Sequence, residues 1–421
     1  MQKNLVKESD RMAFPLIVGS LCLYGFTLPL SKSISTIVMG AIYAVCLGMV
    51  AVQKEFRMNV YHSVQQPLNL SIGLYIGVLC LGLSYSQDLR EGISVLKQAV
   101  NLFLVYLMFA VLLDAEHDRE RRIFIAQTAL FAFLMGIFVL DVIAFLTYSG
   151  VIGNRQFILP VTPLKMHHIW FGNLNALGLL VAAALLVPQF PKGNMVQTAA
   201  LWIFLPVAVA ALLLSTSRTA WLGTICAVTV FFYIVAKKKR LFFLLSGFFL
   251  GGCVAAYFIS DIVHTRINQI YWFLTGNPDI SLGARFVMWK ASLSMFFSNP
   301  LLGVGTGDYK SMIAAFVASG QYPDILGKFN QPHNMYLFAL ATNGIVGLSA
   351  FLFIFYRIMR YTKTVLRQQG KAFGGIALIV TIHFLVAGLT ESLFNIHVLI
   401  SSFAMLMGIS VRTMCLRDID E

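Results

Sequence analysis

Apolar residues in this chain run in long uninterrupted blocks, separated by short polar stretches. A helix needs about 20 apolar residues to cross the hydrocarbon core of a bilayer. Blocks approaching or exceeding that length recur near 12–31, 34–52, 67–86, 98–113, 124–148, 169–188, 196–214, 219–236, 241–259, 334–356, 372–390 and 394–411. The pattern predicts an all-α, polytopic membrane protein of about twelve transmembrane helices. The block at 98–113 is the shortest. Lys3, Lys7 and Arg11 precede the first block. No small-residue cleavage site follows, so that block reads as a retained signal-anchor.

One interval breaks the rhythm. Residues 260–333 form a long loop between the ninth and tenth blocks, dividing the chain into 1–259, 260–333 and 334–421. Within it, Ser281 is placed to cap a helix running to about Phe297. That helix carries Leu282, Phe286, Trp289, Leu293 and Phe296 at helical spacing, so it is expected to lie against the bilayer or dock on the bundle. Asn299-Pro300 ends it. A turn rich in glycine follows at Gly303–Gly307, then a second short helix from Tyr309 to Ser319.

Composition agrees with the pattern. The chain has 421 residues, 58% hydrophobic and 12% charged. A soluble domain carries about 25% charged residues, so too few are present to build a water-facing surface. The formal charge of +13 raises the question of nucleic acid. The basic residues lie in short loops between apolar blocks, where they set topology and meet anionic lipid, so no nucleic-acid partner is expected. With the N-terminus placed in the cytoplasm, the majority of the 31 lysines and arginines fall on the inner side, including the run Lys237-Lys238-Lys239-Arg240. Both termini are then cytoplasmic and 260–333 is extracytoplasmic. The six cysteines include no C-x-x-C pair, and five fall in apolar blocks, which indicates neither a disulfide framework nor a zinc site.

Four polar features gather on the outer side: Ser215–Thr219, Ser281–Arg285, Gly303–Tyr309 and Pro332–Tyr336. Arg218 ends an apolar block. It is suited either to snorkelling at a helix end or to holding a phosphate on its planar donor fork. Arg285, one turn into its helix, reads as a solvated charge or as a second phosphate ligand. Pro332 is expected to fix the first turn of the tenth block, with His333 and Asn334 at its outer end. A neutral imidazole there accepts a proton, as a general base must; the alternative is a helix-end histidine bonded to the loop. His167 and His168 lie near Arg155 and Lys165. Adjacent side chains diverge on a helix, which argues against a metal pair. Asp141 and Glu391 are acids in or near the membrane and have no partner nameable from sequence. Gly303–Gly307 lacks the preceding strand of a dinucleotide loop.

The motifs "LLLSTSRTAWLG", "SLGARFVMWKASLSMFFSNPLLGVGTGDY" and "QPHNMYLFALATNGIVGL" occur in that order, after "FGNLNALGLLVAAALL" in the sixth block. Together they resemble the O-antigen ligase and O-antigen polymerase superfamily, most closely the lipopolysaccharide O-antigen ligase, over about 165–350. Leu174 stands where the family commonly has proline. The first five blocks match only in hydropathy. The resemblance implies a glycosyltransferase of the bacterial inner membrane with its active site facing the periplasm. It implies an undecaprenyl-diphosphate-linked glycan as donor and the lipid A-core as acceptor. His333 matches the family's proposed general base, and Arg218 and Arg285 match arginines thought to hold the donor diphosphate. Arg155, Lys165, Asn334 and Tyr336 are expected to support the site. Neither metal nor cofactor is expected, and the transfer is expected to invert the anomeric carbon. A polymerase, an O-linked protein glycosyltransferase and a transporter of lipid-linked sugar are the alternatives. A transporter would place its ionisable groups at the midplane.

Overall fold

The structure, a computed structural model, describes residues 2–152, 157–187, 195–236, 238–275, 280–367 and 371–413. Among them the chain forms sixteen α-helices: α1 Gln2–Thr27, α2 Lys32–Val52, α3 Lys54–Val64, α4 Pro67–Leu83, α5 Leu89–Asp114, α6 Arg119–Tyr148, α7 His168–Leu185, α8 Met195–Leu214, α9 Arg218–Val235, α10 Lys239–Ile259, α11 Asp261–Leu274, α12 Ile280–Ser298, α13 Tyr309–Ala318, α14 Met335–Arg367, α15 Lys371–Ala387 and α16 His397–Arg412.

Each of the twelve apolar blocks holds one of these helices. Eight are long and apolar enough to cross a membrane: α2, α5, α6, α7, α8, α9, α10 and α14. The bent pair α3–α4 makes a ninth, and the apolar part of α1, with α15 and α16, is shorter. This is a multi-pass membrane protein. The expected short helix at 98–113 is in fact the 26-residue α5. Its charged first turn hid its start, which Asp88 caps by accepting the amide of Glu91 at 3.0 Å. Helices α3 and α11 escaped the apolar pattern because both are rich in polar residues.

The bundle pairs α5 with α16, α1 with α6, α9 with α15, α4 with α14 and α7 with α8. Helix α7 is central: 72% of its span is buried, against 6% for α10 and 11% for α2. Asparagines of the "FGNLNALGLL" stretch accordingly face protein. Asn173 donates to the carbonyl of Ile169 at 2.8 Å and accepts from Nε2 of His383, on α15, at 3.1 Å. A buried amide oxygen and a ring nitrogen pair here, as low-dielectric surroundings favour.

The long loop is built into the bundle. Helix α12 turns Ala284, Met288, Ala291 and Met295 inward against Tyr309, Ile313, Phe338 and Ala341. Phe286 and Leu293, from the aromatic face read in the sequence, stay exposed. The two alanines allow close approach and the two methionines fill the space between them. The helix starts at Ile280, so Ser281 lies inside its first turn instead of capping it.

The Gly303–Gly307 turn grips a break in α14. Gly344 adopts φ 63°, ψ −161° within that helix. The amides of Val304 and Gly305 donate to the carbonyls of Ala341 and Thr342 at 3.0 and 2.9 Å, and Ile345 donates back to Pro300 at 2.9 Å. A Cβ at Gly344 would overlap the backbone of Leu301. From the other side, Thr306 donates its amide to Gly82 at 3.1 Å and its hydroxyl to Leu79 at 3.0 Å. The Asp308 carboxylate accepts from Ser86, Gln87 and Asp88 at 2.8 to 3.0 Å. This glycine turn is a clasp of the scaffold.

Candidate active site

Five loops and helix ends meet at one end of the bundle. The amide of Val161 donates to Leu214 at the end of α8 at 3.2 Å. His168 opens α7 and donates Nδ1–H to the Ser215 carbonyl at 3.0 Å. Thr219, in the first turn of α9, shares a hydrogen bond with Thr390 at 3.0 Å. The amide of Met335 donates to Gly388 at the end of α15 at 2.9 Å. Gly172 lets α7 pass close beneath the Ser215–Ser217 turn, where a Cβ would fall 2.5 Å from the Ser215 hydroxyl.

His333 stands at the centre of this end. Its Nδ1 lies 2.8 Å from Oε1 of Glu391. The carboxyl group is 2% exposed and the imidazole 24% exposed, so the ring opens outward from a buried acid. A carboxylate only accepts, so Nδ1 carries the hydrogen and Nε2 presents its lone pair. Oε1 also accepts the Ser392 amide at 3.1 Å, which holds the acid in place. Trp289 on α12 donates to the Pro332 carbonyl at 3.0 Å, and the Phe329 ring meets the imidazole edge-on at 6.1 Å.

The start of α14 differs from expectation. Pro332 lies outside the helix, three residues before Met335. Asn334 is the capping residue, its Oδ1 accepting the amides of Tyr336 and Leu337 at 3.0 Å each. His333 itself takes a left-handed φ of 49°. For a residue with a Cβ this conformation costs roughly 1–2 kcal/mol. The cap and the Glu391 contact hold it there. Asn334 and Tyr336 also donate to the carbonyls of Leu389 and Leu385, at 2.9 and 2.6 Å, fastening α14 to the end of α15. They support the site by positioning it.

Arg218 is the first residue of α9, half-buried, behind a Ser217 cap that accepts the Ala220 amide at 3.3 Å. Its neighbour Thr219 reaches Thr390, which adjoins Glu391. Arg285 sits one helical turn before Trp289 on α12 and is half-buried. Sequence reasoning missed a third arginine. Arg266 on α11 donates to the Thr216 hydroxyl at 2.9 Å and to Gln269 at 3.2 Å. The only sequence signal was a basic residue in the long loop. Thr216 is itself left-handed, with φ 52°.

His167 precedes α7 and caps it, accepting the Ile169 amide at 3.3 Å. Because it lies outside the helix, its ring does not diverge from that of His168; the two are 4.6 Å apart. Desolvation holds the His167 imidazole below the usual histidine value, with Glu391 acting in the opposite direction and His333 reinforcing the drop. Lys165 lies on an exposed left-handed turn two residues earlier. Arg155 lies outside the described residues.

The assembled end offers an outward-facing imidazole with a fixed tautomer and a buried carboxylate behind it, with Arg218 opening α9 and Arg266 bonded to Thr216 in the turn before it. Such a set can take a proton from a hydroxyl while neutralising charge on a departing phosphate. No match was found among curated proteins. Residues 199–352, which carry Arg218, Arg266, Arg285 and His333, match the family model described as O-antigen ligase, a match that agrees with the resemblance carried by the ordered motifs and supports a membrane-embedded, glycosyltransferase-like enzyme of the O-antigen ligase superfamily.

Proposed function

We propose that the protein is an O-antigen ligase. It moves a glycan from undecaprenyl diphosphate onto a sugar hydroxyl of the lipid A-core, at the periplasmic face of the bacterial inner membrane. The observation that supports the reading is the His333–Glu391 pair just before α14, an outward-facing imidazole on a buried acid.

In this reading His333 Nε2 takes the proton of the acceptor hydroxyl as its oxygen attacks the anomeric carbon. The carbon–oxygen bond to the diphosphate breaks, and the leaving group departs with the electron pair. Glu391 keeps the imidazole in the correct tautomer and stabilises the imidazolium as it forms, the role of the carboxylate in hydrolase triads. Arg218 and Arg285 hold the diphosphate with planar donor forks. Arg266 adds positive charge beside Arg218. One displacement inverts the anomeric carbon. Because arginines meet the leaving group's charge, the reaction is metal-independent and proceeds in the presence of EDTA. The Lys/Arg distribution supports cytoplasmic termini and a periplasmic 260–333.

Deleting the gene and resolving the cell's lipopolysaccharide on a gel tests the proposal. Loss of all capped chains, with lipid-linked polymer accumulating, is the expected result. A core bearing a single repeat unit would instead make the protein a polymerase, whose acceptor is another lipid-linked glycan.

A further inference from the structure

At the end of the bundle away from His333, a cavity of about 250 Å³ opens between α4, α5, α14 and α16. Its lining includes Gln66, Tyr106, Arg357, Arg360, Tyr361 and Arg412. None of the residues that line it belongs to the His333 end, so the two sites are separate.

Three features make this cavity a receptor for an anion. The first is its charge. Arg412 is 5% exposed and ion-paired with Asp114, so it contributes N–H groups with its charge offset. Asp114 is further engaged by the Ser63 hydroxyl at 2.9 Å. Among the described residues, the ion pairs are Arg412–Asp114 and His333–Glu391. Arg357 and Arg360 have no ion-pair partner among the described residues and lend the cavity positive charge. The second is the Tyr106 hydroxyl. The side chain is 1% exposed, and its oxygen has no hydrogen-bond partner among the described residues. A buried hydroxyl without a partner costs free energy, and a ligand in the cavity it lines would supply one. The third is placement: Arg357 and Arg360 lie one turn apart on α14, the guanidinium of Arg357 resting 6.0 Å above the Phe353 ring. That spacing presents two planar forks to one tetrahedral oxyanion.

The geometry points to a binding site for a phosphate-bearing anion in this cavity, held by Arg357, Arg360 and the Tyr106 hydroxyl. Two sources share that chemistry: the headgroup of an anionic phospholipid, and free phosphate. The cavity lies between helix ends, where basic pockets in membrane proteins receive lipid headgroups.

The test uses the full chain in a neutral detergent, titrated separately with a short-chain phosphatidylglycerol, a short-chain phosphatidylcholine and inorganic phosphate. Binding is read by native mass spectrometry and by thermal shift. Saturable binding of phosphatidylglycerol that exceeds that of phosphatidylcholine is expected. A juxtamembrane basic residue contributes roughly a 5-fold gain in affinity for anionic lipid. Arg357→Ala with Arg360→Ala should therefore weaken binding about 30-fold. The paired lysine substitutions should retain most of it. Tyr106→Phe should weaken binding while raising the melting temperature of the ligand-free protein, since it removes the stranded hydroxyl. Competition by inorganic phosphate would make phosphate itself the ligand, and binding of the lipid alone would assign the headgroup. Equal binding of the two lipids, or affinity unchanged in the double alanine variant, would overturn the proposal.

Discussion

At one end of the bundle the chain turns back through backbone that side chains rarely tolerate. Phe157, Leu164, Lys165, Thr216 and His333 all have left-handed φ, and every non-glycine residue of that kind among the described residues lies there. At the other end the helices stop by ordinary means. Asp118 caps α6, accepting the amides of Glu120 and Arg121 at 2.8 and 3.3 Å. Arg57 donates to the last carbonyls of α2 at 3.1 and 3.4 Å. Charged side chains satisfy exposed helix ends in the second case, whereas folded-in loops impose costly conformations in the first. Strain of about 1–3 kcal/mol per residue persists only where neighbours over-determine it. Its concentration around His333 separates an end shaped for chemistry from one that sits against lipid and water.

The largest effect expected is on His333. His333→Ala should slow glycan transfer about 10²–10⁴-fold, the usual range for a lost general base, with donor binding retained. Transfer rates measured in nanodiscs, with donor binding checked separately, decide this. Near-normal transfer would erase the distinction between the two ends.

Next comes Glu391→Gln, which keeps the shape of the side chain but presents an amide. Nδ1 no longer has a pure acceptor, and the tautomer is no longer fixed. We expect a fall of about 10–100-fold in kcat, as for other orienting partners, with donor KM unchanged. A loss of donor affinity instead would make Glu391 a packing residue.

Arg218→Ala and Arg285→Ala should each raise donor KM by about tenfold or more, the scale of a charge-assisted hydrogen bond. Lysine should restore little at a bidentate site. Arg266→Ala should weaken donor use more mildly. Varying donor at fixed acceptor measures all three. An unchanged donor response would return these residues to helix anchoring.

The smallest effect sharpens the contrast from the scaffold side. Gly344→Ala puts a Cβ into the Leu301 backbone at a φ/ψ that glycine alone adopts readily, so about 1–3 kcal/mol of stability should be lost from the backbone conformation alone. The signature is a lower melting temperature in detergent, with pH dependence of transfer unchanged.

The helices were largely legible because each span carries its own apolar signal. Lys32–Val52 and Met195–Leu214 fall within two residues of the predicted blocks. His333, Arg218 and Arg285 were legible as polar residues interrupting apolar runs. Glu391 was visible as an acid, yet its partner was not: 58 positions separate it from His333. The pairing depends on how α14, α15 and α16 end together, which no local pattern encodes. Arg266 was hidden in a helix too polar to register, and the proline before His333 suggested a helix start that the asparagine side chain actually provides. The aromatic stripe of α12 left open whether it met bilayer or bundle; the opposite face, with Ala284, Met288, Ala291 and Met295, is the one that packs on protein, since beside a membrane large apolar residues can face lipid.

The clasp at Gly303–Gly307 also has a consequence for biogenesis. When residues 303–307 leave the ribosome, Gly82 and the Ser86–Asp88 turn have already been made, but Ala341 and Thr342 have not. Chains assemble from the N-terminus during synthesis, so Thr306 and Asp308 can find their partners first. The amides of Val304 and Gly305 must wait, bonded to water, for the following span to arrive. The docked loop is then a template against which α14 is fitted and broken at Gly344. His333, only eleven residues before that break, still waits for Glu391, which leaves the ribosome after α15.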